Sequence, residues 1–160
     1  MTKLQTGDSA PDFTLFDHTG KAFTLSEIIG KQNALLVFNI GFIWPHCTNH
    51  MAQLRDEYEK FHVLNSEVLV MVPNGLRMID RYVTANNTPY PVLSDKGSKV
   101  AGQYFQVKQF FKVGTPTVIL VDTSGKIQYA HYAGSVIEEP NNDEPLRILR
   151  KMMPDGSDSK

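Results

Sequence analysis

Two apolar runs, "ALLVFNI" (34–40) and "EVLVMV" (67–72), bracket one amphipathic segment, and that succession limits the fold more than any other feature of the chain. Each run has the length of a strand, and its near-continuous apolar character marks a strand covered on both faces. Between them Met51, Leu54, Tyr58 and Phe61 recur at helical spacing, while Arg55, Asp56, Glu57, Glu59 and Lys60 take the remaining faces. This pattern predicts a helix of about four turns, with Pro45 suited to its start. A strand–helix–strand unit demands parallel neighbours joined by a right-handed crossover.

The flanking segments complete the architecture. "FTLFDHTGKAFTL" alternates around His18-Thr19-Gly20-Lys21 and predicts an N-terminal β-hairpin. Ser26 is the expected cap of a short helix ending at Gly30. "NGLRMIDRYVTANN" predicts a second long helix, with Asn74 as its cap and Asn86-Asn87 near its end, and "GSKVAGQYF" a short one. "TPTVILVD" is a third apolar strand, turned through Thr123-Ser124-Gly125 into an antiparallel partner, "KIQYAHYAG". "DEPLRILRKMM" predicts a closing helix capped by Asp143, with Pro145 in its first turn. The expectation is one α/β domain over residues 1–160, with a mixed central β-sheet, helices on both faces and a polar, flexible tail at 154–160.

Sixteen basic residues against 17 acidic ones give a formal charge of −1, which offers nothing to nucleic acid or to an anionic membrane. A single cysteine excludes an internal disulfide framework. "MTKLQTGDSAPDF" has no apolar core of a leader, and no apolar run reaches bilayer length, so a cytoplasmic protein is expected. There is no Gly-rich phosphate loop, no Gly-x-Ser-x-Gly elbow and no His/Cys cluster with zinc spacing, so no cofactor or metal is expected.

The chemistry therefore gathers on Cys47, in "FIWPHCTNH". It falls where the first long strand passes into its helix, the edge at which α/β sheets place ligands. In the first turn of a helix, unpaired N–H groups and the dipole favour an anion and draw a thiol from about 8.5 into a range of ~3.5–7.5. His46 and His50 flank it as tuning groups, and Thr48 or backbone N–H groups are candidates to orient a substrate. The opposite reading is a small buried hydrophobe covered by Trp44. Phe38, Phe42, Trp44 and Phe110-Phe111 are core or pocket wall in either case.

The ordered segments resemble the thioredoxin fold, and within it the AhpC/TSA branch of peroxiredoxins. "GDSAPDFTLFDHTGKAFTLSEIIGK" is similar to that family's opening, and "FNIGFIWPHCTNHMAQLRDEY" stands where the family carries its peroxidatic cysteine. "YPVLSDKGSKVAGQYFQV" and "GTPTVILVDTSGKI" match later segments in order, and the spacing is most similar to the bacterioferritin-comigratory-protein type. The resemblance implies Cys47 as peroxidatic nucleophile. It also shows departures. The family's Pro position holds Ile40, its Thr position Trp44, its Arg position Pro116, a frequent Glu position His50, and a frequent resolving-cysteine position Ala52. "WPHC" further resembles a Cys-x-x-Cys motif without its first cysteine, and "GTPT" resembles the thioredoxin cis-proline segment. That likeness implies a cis Pro116 and substrate contacts from Trp44, Pro45, Thr115 and Pro116.

Three readings stand at this stage. One is a one-cysteine thiol peroxidase, reducing hydrogen peroxide or organic hydroperoxides through a Cys47 sulfenic acid, with an external thiol such as thioredoxin or glutathione as reductant. The second is a thiol–disulfide partner protein of thioredoxin type. The third is a non-catalytic module that binds a peptide or partner. The resemblance also implies a homodimer.

Overall fold

The computed structural model describes residues 3–42, 44–104, 115–133 and 140–153. The tail at 154–160 and Phe110-Phe111 lie outside the described residues. In chain order the elements are β1 (Thr14–Phe16), β2 (Ala22–Thr24), α1 (Leu25–Ile29), β3 (Asn33–Phe38), α2 (Pro45–His62), β4 (Ser66–Val72), α3 (Leu76–Asn86), β5 (Val92–Ser94), α4 (Lys99–Gln103), β6 (Thr117–Val121), β7 (Ile127–Tyr132) and α5 (Asp143–Met152).

Among the described residues the strands form one mixed seven-stranded sheet, ordered β2-β1-β5-β4-β3-β6-β7. The two runs that opened the sequence reading are β3 and β4. They pair in parallel from Asn33↔Ser66 to Phe38↔Met71, with α2 as the crossover. On the other side of β3, β6 runs antiparallel, from Ala34↔Val121 to Phe38↔Thr117, and β7 extends the sheet beyond it. Strand β5 has no counterpart among the expected elements. It has three residues and follows Pro91, too short for a readable alternation. Its position is set by its neighbours: it pairs with β4 on one edge and meets β1 at Phe16↔Ser94 on the other. That contact ties the N-terminal hairpin to the sheet.

Because strand side chains alternate, β3 feeds two apolar layers. Leu35 and Val37 join Met51, Leu54 and Phe61 of α2, Ile79 of α3, and Leu146 and Leu149 of α5. Ala34, Leu36 and Phe38 join Leu25 of α1 and Val100 and Ala101 of α4 on the opposite face. Each fully buried Leu, Val, Ile, Phe or Met side chain stabilises the fold by about 1.5–3 kcal/mol.

Both hairpin turns use one device, visible as Asp-His-Thr-Gly-Lys and Asp-Thr-Ser-Gly-Lys. Asp17 Oδ1 accepts from the Thr19 and Lys21 backbone N–H groups and the Thr19 hydroxyl. Asp122 Oδ1 does the same with Ser124 and Lys126. In each, the glycine supplies the positive φ that closes the turn, +88° at Gly20 and +85° at Gly125.

The helix starts differ from the expected caps. Helix α1 begins at Leu25 with Thr24 at the N-cap position, so Ser26 lies inside it, its N–H donating to Asp12 Oδ1. Gly75, not Asn74, precedes α3, and Asn142, not Asp143, precedes α5. None of the three N-cap side chains makes a cap bond; neighbouring side chains meet the free donors of α1 and α5 instead, Asp12 at Ser26 and Asn141 at Asp143. The expected end of α3 is present, with Asn87 left-handed at φ 47°. No helix among the described residues is long and apolar enough to cross a membrane.

Candidate active site

The turn from β3 into α2 is made by Gly41, whose φ of +125° lies in a region that side chains avoid. Trp44, half-buried, occupies the N-cap position of α2, and Pro45 fills the first helical position. Cys47 is thus in the first turn, as the sequence indicates, and is fully buried.

The electrostatic consequence is the reverse of the expected one. Pro45 has no N–H, and the N–H groups of Cys47 and Thr48 both donate to the Trp44 carbonyl, at 3.0 and 3.1 Å. Those helix-start donors are therefore spent on the turn. Cys47 is also the first member of the stripe that continues through Met51, Leu54, Tyr58 and Phe61, so it faces the sheet. Burial pushes the Cys47 thiol up from near 9 to about 11, against a smaller opposing pull from the Ile40 backbone N–H, which donates toward the sulfur. In this conformation the sulfur rests as a neutral thiol.

His50 lies one turn further along α2 and is also fully buried. Its Nε2 is 2.9 Å from Asn142 Oδ1, and Asn142 Nδ2 donates to Glu57 Oε1 at 2.8 Å. Since the Asn142 amide nitrogen faces a carboxylate, its oxygen must be the acceptor, and His50 Nε2 carries the proton. Burial works against the Glu57 carboxylate, but the bonds from Asn142 and Lys60 outweigh it and hold its pKa below the usual range. His50 is thereby tied by this nitrogen to the start of α5. Asn142 was not among the sequence candidates. A polar residue just ahead of a strongly amphipathic helix reads as a cap, and nothing local shows that its side chain points elsewhere.

The remaining candidates are placed as follows. His46, half-buried, is the second residue of α2. Thr48 donates its hydroxyl back to the Pro45 carbonyl at 3.1 Å, so that group is turned into its own helix. Pro45 is exposed. Thr115 and Pro116 are buried at the start of β6, where the antiparallel register continues from Phe38↔Thr117 toward Asn39 and Ile40. The fold therefore brings the Thr115-Pro116 segment beside the strand end that meets Cys47. The Thr115–Pro116 bond is trans, which corrects the cis expectation and removes one of the two features, beside "WPHC", that favoured a thioredoxin-type partner protein. Phe42 stacks on Tyr82 of α3 with ring centroids 4.6 Å apart, a wall role. Among the described residues no group of three or more His, Cys, Asp or Glu side chains is arranged to hold a metal ion.

Comparison with known proteins agrees with this arrangement. The model of the AhpC/TSA family matches residues 6–130. A chloroplastic peroxiredoxin Q of Arabidopsis thaliana is 32% identical over 152 residues, covering 94% of this chain and 69% of that protein. The chloroplastic peroxiredoxin Q of Oryza sativa subsp. japonica is 30% identical over the same shares. Among solved structures, peroxidoxin BcpB from Mycobacterium tuberculosis superposes with a TM-score of 0.84 at 24% identity, covering 94% of this chain and 99% of that one, a likeness of fold.

Proposed function

Since the chain belongs to the AhpC/TSA family, we propose that it is a thiol peroxidase whose one redox sulfur is Cys47. The observation that carries this reading is the sulfur's place: at the β3–α2 junction, inside the matched span, with the Ile40 N–H directed at it. A Cys47 thiolate attacks one oxygen of the peroxide. An S–O bond forms as the O–O bond breaks, sulfur is oxidised to a sulfenic acid, and the departing hydroxide or alkoxide takes up a proton. One external thiol then condenses with the sulfenic acid, releasing water and leaving a mixed disulfide. A second thiol displaces Cys47 as the disulfide of the reductant forms.

The absence of a second cysteine in the sequence supports an external reductant, of the thioredoxin or glutathione kind. The reading extends to hydrogen peroxide or an organic hydroperoxide as substrate, to a homodimer, and to a cytoplasmic role in redox homeostasis, where a fold without disulfides needs no oxidising environment. His46 and His50 tune the site, and Trp44, Pro45, Thr115 and Pro116 frame it. The test is peroxide consumption in the presence of a monothiol in excess. Turnover above the thiol-only background that disappears in Cys47→Ser is the expected result. Equal consumption by wild type and Cys47→Ser contradicts the proposal.

A further inference from the structure

Asn39 interrupts the apolar run that forms β3, and it is buried, with only 4% of its surface exposed. Both of its side-chain polar atoms, Oδ1 and Nδ2, are buried and lack a hydrogen-bond partner. An amide left so costs about 1–3 kcal/mol, and nearly all buried polar groups in folded proteins are paired. An orphaned carboxamide one residue ahead of the N–H directed at the Cys47 sulfur is therefore read as a site feature rather than a packing feature.

Its direction follows from the backbone. The Asn39 N–H donates to the Met71 carbonyl at 2.9 Å, continuing the β3–β4 ladder one residue beyond Phe38↔Met71. Leu35 and Val37 face the layer that contains α2, so alternation turns Asn39 toward the same layer, beneath the helix that carries Cys47. The next residue is Ile40, whose N–H is directed at the Cys47 sulfur. The N–H that meets the sulfur thus belongs to the peptide bond that follows Asn39. A second orphan lies at the same carboxyl edge of the sheet. Asn74 Oδ1, just past β4, is buried without a partner and stands 3.6 Å from where a Cβ on Gly41 would be.

Resting on the thiol-peroxidase reading, we propose that the Asn39 carboxamide binds the hydroperoxide that reacts with Cys47. The family's Thr and Arg positions hold Trp44 and Pro116, and the Thr48 hydroxyl is engaged with Pro45. Asn39 Oδ1 accepts the hydroperoxide O–H, and Nδ2–H donates to the departing oxygen. Negative charge grows on that oxygen as the S–O bond forms and the O–O bond breaks, so this second bond strengthens in the transition state.

The test measures three quantities on wild type, Asn39→Leu and Asn39→Ala: the bimolecular rate of Cys47 oxidation by hydrogen peroxide, the rate of Cys47 alkylation by iodoacetamide, and the melting temperature. In both variants oxidation is expected to slow by about tenfold or more while alkylation stays as in wild type. Asn39→Leu is expected to melt no lower than wild type, because an apolar side chain of similar size replaces two unpaired polar atoms. Oxidation at the wild-type rate overturns the inference. So does a parallel fall in oxidation, alkylation and melting temperature, the mark of a structural role. The outcomes separate from those of the parent reading, which fails on the behaviour of wild-type Cys47 itself, whatever the Asn39 variants do.

Discussion

His50 and Asn142 stand 92 positions apart in the chain and meet at 2.9 Å inside the protein, joining the helix that bears Cys47 to the start of α5. Asn142 sits at the N-cap position but makes no cap bond; its amide serves His50 and Glu57 instead. Asn142→Ala leaves a buried imidazole N–H and a carboxylate oxygen without their partner. It is expected to lower unfolding free energy by about 2–3 kcal/mol. Asn141→Ala, which loses one exposed bond to the Asp143 N–H, is expected to cost less than about 1 kcal/mol. Urea denaturation of the two variants measures the contrast, and equal costs would count against a structural link through Asn142.

The raised thiol pKa has a stability signature at high pH. The folded thiol titrates near 11 and the unfolded one near 9. Between these values the native state holds the proton and the unfolded state has lost it. Stability contributed by the neutral thiol is therefore full below pH 9 and lost as pH rises through about 11. Cys47→Ser, which does not ionise there, is expected to lack this component of the decline. Comparing the two proteins' urea midpoints from pH 8 to 11 checks it, and superimposable pH profiles would contradict the raised value.

The same neutral resting state sets the pH dependence of reaction. With thiolate as the nucleophile, oxidation by peroxide should accelerate about tenfold per pH unit between pH 7 and 10. A thiol already ionised at pH 7 gives a flat profile over that range. Stopped-flow oxidation at several pH values distinguishes the two.

Gly41 is expected to tolerate no side chain without cost. A Cβ there would meet Asn74 Oδ1 at 3.6 Å and Trp44 Cδ1 at 3.7 Å, ordinary contacts, so the penalty comes from φ of +125° alone. Gly41→Ala should lower stability by about 1–2 kcal/mol, and thermal melting measures it. Because the strain falls in the turn that seats Cys47, its alkylation should also become faster. A stable variant with unchanged alkylation would show that the turn does not hold the sulfur in place.

Much of the scaffold was legible because its signals are long. The β3–α2–β4 unit follows from two near-continuous apolar runs and one clean helical stripe, and both hairpins from their Asp-x-(Thr/Ser)-Gly-Lys turns. Strand β5 was hidden because three residues carry no period, and its existence depends on β1 and β4 rather than on itself. The expected caps at Ser26, Asn74 and Asp143 were plausible polar residues one or two positions from the true starts. At the site, position was readable and environment was not. Placement in the first helical turn suggested a lowered thiol pKa, yet Cys47 lies four residues before Met51, on the buried stripe, and the turn absorbs the donors meant for the anion. That spacing was in the sequence. So was the polar break at Asn39, which registers as a flaw in an apolar run until its unpaired carboxamide is seen.

Whether Cys47 is a peroxidatic sulfur is read from the intact mass of reduced protein after stoichiometric hydrogen peroxide, at pH 7 and at pH 9. The expected result is the gain of one oxygen atom, trapped by a sulfenate reagent and mapped to Cys47, reached faster at pH 9 and absent in Cys47→Ser. A wild-type mass that stays unchanged at both pH values, under conditions that oxidise a control peroxiredoxin, would contradict it.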